Sequence, residues 1–557
     1  MVAPQSSTSS TSSAKTSGSA RSTSKSKCTD KTLPRVFAVA LHDVDNNKYQ
    51  DSRNAGISWY VFFSVLLASL SAVNIGWTCG VLNIGKSSIC DFEGTDAGGS
   101  DFPERILFTT NTWMLAIGVM AVGGFLGALL SGWISDNMGR RNTLVINNCL
   151  FMAGSVLLGT ATTSVHFILG RFVSGVGCGI ASAVVCMYVG EIAPIRRRGF
   201  FGAFFQLAVV LGIMGAQVAS MFLTGHPEWR ILVAIPGAIS LIQVMFLPFR
   251  VESPVYLIKT HQVNEARHAL LKLRRGYDVS AEWQDCIDAL DEARETIPTA
   301  IRQPTKNSSK HADGCEVNES EATIKDAHTG GCKDTQVHKA SLWRTVRGMT
   351  KDDLRHLFIA CVSLMALQQL SGINGIIFYS NSIFLGLFDN AQPIIARWAC
   401  VGVTASAVPA VLLCMVCFTG MVVASVLIFV GMFFGKGLIV VVMLYIYYFL
   451  FNLGVGTIPW LYLAELVPGY ALGGVMAMAC AVNWLFSFAV GFVFPMVQWY
   501  LAQYQFLLFA GFSLIGVVFV MLFAPESGNK SVMEVVAKHR GPMHIVTRRR
   551  DSGARMF

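Results

Sequence analysis

Long apolar runs alternate with short polar breaks along most of the chain. Runs of roughly 18 residues or more can cross a bilayer as helices. They fall at 57–83, 106–134, 142–160, 166–190, 200–224, 229–250, 356–386, 394–411, 413–434, 437–464, 470–495 and 502–524. The pattern predicts an all-α membrane protein of about twelve helices, with one long polar gap after the sixth. The gap splits the spans into two equal sets, and the sets share motifs. "GEIAPIRRRG" follows the fourth span and "AELVPGYALGG" the tenth, so that Glu191, Pro194 and Gly199 align with Glu465, Pro468 and Gly473. "ESP" at 252–254 echoes "PES" at 525–527. Two matched halves of this kind predict a parallel-repeat transporter with its site where the halves meet.

The polar segments complete the organisation. Residues 1–55 form a Ser/Thr-rich tail too polar to bury a core, and 56–254 form the first membrane half. Residues 255–355 form a loop, 356–527 the second half and 528–557 a basic tail. Within the loop, "NEARHALLKLRRG" and "SAEWQDCIDALDEARETI" have helical periodicity, whereas 303–340 has none and reads as a disordered insert.

Composition agrees with the membrane class: 53% hydrophobic, 14% charged, mean hydropathy +0.51. The net charge of +9 would suit a nucleic-acid partner, but its distribution does not. Arg140–Arg141, Arg196–Arg198 and Arg548–Arg550 fall in alternate loops, while Asp91, Glu93, Asp96 and Asp101 separate the first two spans. This positive-inside pattern predicts cytoplasmic termini and no nucleic-acid role. Asn307, Asn318 and Asn529 head sequons on that same side, where no glycosylation is expected. The 14 cysteines lack paired spacing and read as small apolar residues. No phosphate loop, nucleophile elbow or metal-ligand spacing is present, so no enzyme, cofactor or metal is expected.

The loop between the second and third spans reads "GWISDNMGRR". Gly132 permits close packing, Gly139 a tight turn, and Arg140 and Arg141 anchor the loop. Asp136, at a span end, requires an arginine or a helix N-terminus as partner. These five residues resemble the loop signature of the major facilitator superfamily. "GRFVSGVGCG" (170–179), "MYVGEIAPIRRRG" (187–199), "ESP", "QQLSGINGIIFYSNSIF" (368–384), "IPWLYLAEL" (458–466) and "PES" resemble its sugar porter family, above all the facilitative glucose and hexose transporters. The resemblance covers about 57–535. It implies two rocking six-helix halves around a central site for a neutral hexose, as a plasma-membrane uniporter.

"QQLSGING" fits that implication chemically. Sugar hydroxyls donate and accept hydrogen bonds, and side-chain amides do both without charge. Gln368, Gln369 and Asn374 are therefore the principal candidates. In a straight helix Gln369 and Asn374 would lie about 140° apart, but Gly372 and Gly375 allow a break that turns both inward. The resemblance adds Gln206, Ile213, Asn452, Trp460 and Asn483 as substrate contacts, with Phe378 and Tyr379 as an outer aromatic gate. It assigns gating roles to Asp136, Gly139, Arg140, Arg141, Arg171, Glu191, Arg198, Glu252, Glu465 and Glu526.

Several positions depart from the family pattern. Thr78 stands where proton-linked sugar porters carry Asp, and a threonine takes up no proton. The Gly-Arg-Arg motif expected between the eighth and ninth spans is absent, and that region looks compressed around Pro409. Val255 and Leu472 replace further arginines that the family pairs with Glu252, Glu465 and Glu526. These losses predict a weakened inner closure and an inward-facing preference. A proton–sugar or proton–polyol symporter and a non-transporting sugar sensor are the alternatives to uniport.

Overall fold

Hydroxyl caps and glycine contacts shape the membrane bundle. The computed structural model describes residues 52, 57–91, 103–223, 228–287, 355–387, 414–467 and 471–523. The first half contains α1 (Trp59–Ile89), α2 (Thr110–Met138), α3 (Arg140–Gly159), α4 (Ser164–Ile192), α5 (Arg198–Phe222) and α6 (Trp229–Phe246). Short helices α7 (Pro254–Lys259) and α8 (Val263–Leu273) follow. The second half contains α9 (Arg355–Leu370), α10 (Ile373–Leu387), α11 (Cys414–Phe433), α12 (Gly437–Leu450), α13 (Ile458–Leu466), α14 (Leu472–Leu501) and α15 (Gln505–Phe523). A two-residue parallel ladder, which the sequence pattern does not foretell, joins β1 (Cys90–Asp91) to β2 (Ile106–Leu107).

Among the described residues, ten stretches are long and apolar enough to span a bilayer, and the last, Leu472–Phe523, holds both α14 and α15. Two other spans are broken: α9 runs on into α10, and α12 into α13. The expected eighth span at 394–411 lies outside the described residues, as do Pro409, the insert at 303–340, the sequons and Glu526. Within the region expected to be shortened, the described residues form α11, a helix of 20 residues. The apolar run at 413–434 is long enough to build it unaided.

Thr109 caps α2: its hydroxyl accepts from the Thr112 N–H at 3.2 Å, and Thr112 Oγ1 accepts from the Thr109 N–H at 2.8 Å. A lipid environment gives helices no hydrophobic reason to associate, so close backbone packing must supply it. Cβ atoms added at Gly123, Gly127, Gly175 and Gly179 would lie 2.4, 2.1, 2.2 and 2.0 Å from carbonyl oxygens across the α2–α4 contact. Only glycine permits that approach. At the end away from Arg140 and Arg141, Trp77, Phe108, Trp113, Phe167 and Trp229 form a separate aromatic cluster, with Arg230 stacked on Trp229 at 4.4 Å.

Candidate functional site

The site begins at a helix break. Gly372, between α9 and α10, has φ +91°, a conformation other residues rarely adopt. An added Cβ there would also meet the Phe509 ring at 2.5 Å. Gly375 is needed for packing rather than turning, since its added Cβ would meet Phe494 at 2.3 Å. The break brings together the two amides that a straight helix would separate: Asn374 Nδ2 donates to Gln369 Oε1 at 2.5 Å.

A second break faces the first. After α12 the chain forms one π-helical turn, Phe451–Val455, before α13 begins. Pro459 has no N–H for the Val455 carbonyl four residues earlier. Gln368 takes that place, its Nε2 donating to the Val455 and Gly456 carbonyls at 3.0 Å each. Irregular backbone at membrane depth is tolerable where it lines a cavity, and π-bulges often mark functional positions.

Between the breaks runs a chain of amides. Asn374 donates to Gln369, Gln369 Nε2 to Asn483 Oδ1 (3.1 Å), and Asn483 Nδ2 to Gln368 Oε1 (2.6 Å). Asn374 also donates to Ser487 Oγ at 2.7 Å. Across the interface of the halves, Gln206 Nε2 of α5 donates to Asn452 Oδ1 at 2.9 Å. Asn452 Nδ2 is bound to the Tyr448 carbonyl at 2.9 Å. Each amide thus accepts from one neighbour or donates to another, and such chains reinforce themselves in a low dielectric. The arrangement can receive a neutral polyhydroxyl molecule by exchanging amide–amide bonds for amide–hydroxyl bonds.

All eight expected substrate contacts line one cavity of about 90 Å³: Gln206, Ile213, Gln368, Gln369, Asn374, Asn452, Trp460 and Asn483. Trp460 supplies an apolar wall, supported by Phe205 with ring centroids 4.9 Å apart. The cavity also exposes residues that sequence reasoning missed, including Cys79, Ser182, Ile377, Trp484 and Ser487. Asn483, Trp484 and Ser487 share a face of α14 by the four-residue spacing, which was the available signal. Trp484 Nε1 donates to Ser182 Oγ at 3.2 Å, joining the halves again.

Phe378 and Tyr379 both pack on the first half's aromatic cluster. Both also touch α14: an added Cβ on Gly491 would meet the Phe378 ring at 3.2 Å, and Tyr379 stacks on Phe494 at 5.1 Å and donates to the Gly491 carbonyl at 3.1 Å. Neither lines the cavity; Ile377 does. The break at Gly372 rotates α10, so residues after it cannot be phased from those before it. A polar contact closes this end: Asn83 Nδ2 donates to Ser380 Oγ at 2.8 Å, and Asn83 Oδ1 accepts from the Asn381 N–H at 3.2 Å.

At the opposite, Arg-rich end, Arg140 is fully buried. Its guanidinium reaches Glu191 at 3.0 Å and Asp136 at 3.1 Å. Glu252 accepts from the N–H groups of Arg140 (2.9 Å) and Arg141 (3.0 Å). Burial raises the Glu252 carboxyl above its ordinary pKa, against the pull of those N–H groups and arginines. Ser253 donates to Glu191. Gly139 makes the turn into α3 with φ +91°. Arg198 lines a crevice with Cys186, Trp460 and Leu461. Glu465 falls in α13, with its side chain outside the described residues.

Arg171 lies away from this end. It is buried far up α4, donating to the Thr78 carbonyl (2.7 Å), the Ala116 carbonyl (3.3 Å) and Met120 Sδ (3.0 Å). The inner ends of the halves are also together rather than apart. An added Cβ on Gly132 would lie 3.0 Å from the Gly473 carbonyl oxygen, and one on Gly473 would lie 3.1 Å from Asp136 Oδ2. Buried Leu472 occupies the place of the lost arginine, and small residues allow α14 to approach α2 directly.

Two helical halves, paired broken helices and a polar cavity at their interface define a membrane carrier of the major facilitator class. The whole pattern matches a family model described as "Sugar (and other) transporter" over residues 64–313 and 300–538, and the chain belongs to that family. It is similar to "Solute carrier family 2, facilitated glucose transporter member 3" from Homo sapiens, 28% identical over 511 residues, covering 87% of this chain and 93% of that one. It is likewise similar to member 2 from Mus musculus, 28% identical over 538 residues, covering 86% and 93%. Among solved structures, the proton:xylose symporter XylE bound to 6-bromo-6-deoxy-D-glucose matches with a TM-score of 0.68 at 20% identity, covering 86% of this chain and 99% of that one. A partially occluded inward open form of XylE from E. coli matches at 0.62 and 18%, covering 85% and 100%.

Proposed function

We propose that this protein carries a hexose such as glucose across the plasma membrane, down its gradient, by alternating access. The observation that carries the reading is the amide chain at the interface of the halves. Gln206, Gln368, Gln369, Asn374, Asn452 and Asn483 would bind hydroxyls, while Trp460 and Ile213 would cover the apolar face of the ring. The Arg140–Glu191–Glu252 cluster would hold the cytoplasmic closure, and Asn83 with Ser380 the outer one. Both termini would be cytoplasmic, and the chain would act as a carrier, not an enzyme.

Uniport is favoured over proton coupling by the setting of Arg171. Carbonyls and a thioether receive its guanidinium, and no carboxylate pairs with it among the described residues. Its neighbour Thr78 takes up no proton. The test is uptake of labelled glucose in a transport-null host, with and without a protonophore, and with competing fructose, galactose and inositol. Protonophore-insensitive uptake is expected. Uptake abolished by the protonophore would establish the symporter, and binding without uptake the sensor.

A further inference from the structure

Ahead of α1, Ser52 is buried against the segment that follows α8. Ser52 is 0% exposed, its N–H donates to the Asp278 carbonyl at 2.9 Å, and its hydroxyl donates to Glu282 Oε2 at 2.8 Å. Glu282 is held in a two-pronged pair by Arg274, with Nε to Oε2 at 3.0 Å and Nη2 to Oε1 at 2.8 Å. Arg274 and Glu282 are themselves buried. The remaining guanidinium donors reach the end of α4: Nη1 to the Ile192 carbonyl at 2.8 Å and Nη2 to the Ala193 carbonyl at 3.1 Å. A cation there satisfies terminal carbonyls and complements the helix dipole. The next residue back along α4 is Glu191, the acid that binds Arg140 and Ser253.

We infer that Ser52 is an anchor whose hydrogen bonds to Asp278 and Glu282 set the order of the inner gate. The route is continuous: Ser52 to Glu282, Glu282 to Arg274, Arg274 to the final carbonyls of α4, and so to Glu191 and Arg140. A hydroxyl is the right group at its start. It donates one hydrogen bond to a carboxylate that Arg274 already neutralises, and needs no charge of its own. A negative charge at the same position would face Glu282 in a water-poor setting, where like charges repel strongly. Ser52 would then be displaced, and Glu282 would lose one of its three donors. The effect on the gate rests on the transport reading above, whereas the anchor itself does not.

The test uses the full chain in lipid nanodiscs with three variants: Ser52→Ala, Ser52→Glu, and Ser52→Glu combined with Glu282→Gln. Amide hydrogen exchange is followed over 263–287 and over the last turn of α4. A lost hydrogen bond to a charged group corresponds to about tenfold faster local exchange. Ser52→Ala is expected to give a rise of that order in 263–287, and Ser52→Glu a larger one. The double variant should restore most of the protection, because it removes the repulsion. Labelling of Cys186 by an impermeant maleimide offered from the Arg-rich side reports the gate, and is expected to increase in parallel. Unchanged exchange in 263–287 for both single variants overturns the anchor, as does a rise spread equally over α9–α15. Faster exchange with unchanged Cys186 labelling overturns its coupling to the gate. Neither result depends on sugar uptake, so a failure of the transport reading would be seen separately.

Discussion

Asn483 is the centre of the amide chain, because it accepts from Gln369 and donates to Gln368. Asn483→Leu would leave a donor and an acceptor buried without partners, which costs about 1–3 kcal/mol. Uptake at low glucose should fall about tenfold or more, with surface expression retained, as measured by initial rates against surface biotinylation. Gly372 makes the opposite demand, on backbone rather than side chain. Gly372→Ala combines positive φ with a clash against Phe509, for a loss of ~1–3 kcal/mol. Its thermal midpoint in detergent should drop, whereas Gly511→Ala, with nothing within 4 Å, should not. Much of this site was legible in the sequence, since three amides within an apolar run have few bland explanations. Ser182, Trp484 and Ser487 were not, because a serine or tryptophan in such a run ordinarily packs or bonds its own helix. Tyr379 was legible as a residue but not as a direction, because its orientation depends on one glycine torsion.

At the scale of elements, the two broken spans support each other. The carbonyls freed around Pro459 need donors, and the amide of Gln368 from the other break provides them. Pro459→Ala restores an N–H that competes for the Val455 carbonyl. We expect it to straighten the turn, release Gln368 and raise the KM for glucose by roughly three- to tenfold, measured from concentration-dependent uptake. The break at Gly372 could be read from glycine spacing. The π turn could not, because nothing in "FNLGV" distinguishes it from ordinary helix; only the proline downstream gave a hint. The helix at α11 was legible from its apolar run, because helix length follows from apolar residues while loop charges govern orientation.

At the scale of the molecule, closure at the Arg-rich end depends on shape as well as charge. The missing arginines predict a weakened inner closure. The structure brings α2 and α14 together through Gly132 and Gly473, a contact that only spatial proximity could disclose. Gly473→Leu should therefore separate the halves more than any single charge change nearby. Labelling of Cys186 from the Arg-rich side should rise, and glucose uptake should fall, with mass spectrometry reporting the modified cysteine. The twelve-helix plan and its pairing into halves were readable because lipid imposes a length on every span and repeats the same motifs in both halves.

The amide chain has a consequence for the carrier's return journey. Asn374, Gln369, Asn483 and Gln368 satisfy one another directly. Amides paired in this way leave few orphaned polar groups to carry through a closed state, so reorientation without cargo would meet no large desolvation barrier. The cycle then need not wait for a second sugar on the far side. Preloading vesicles with unlabelled glucose should accelerate entry of labelled glucose only slightly, and a strong trans-acceleration would show that the empty site is less content than its hydrogen bonds indicate.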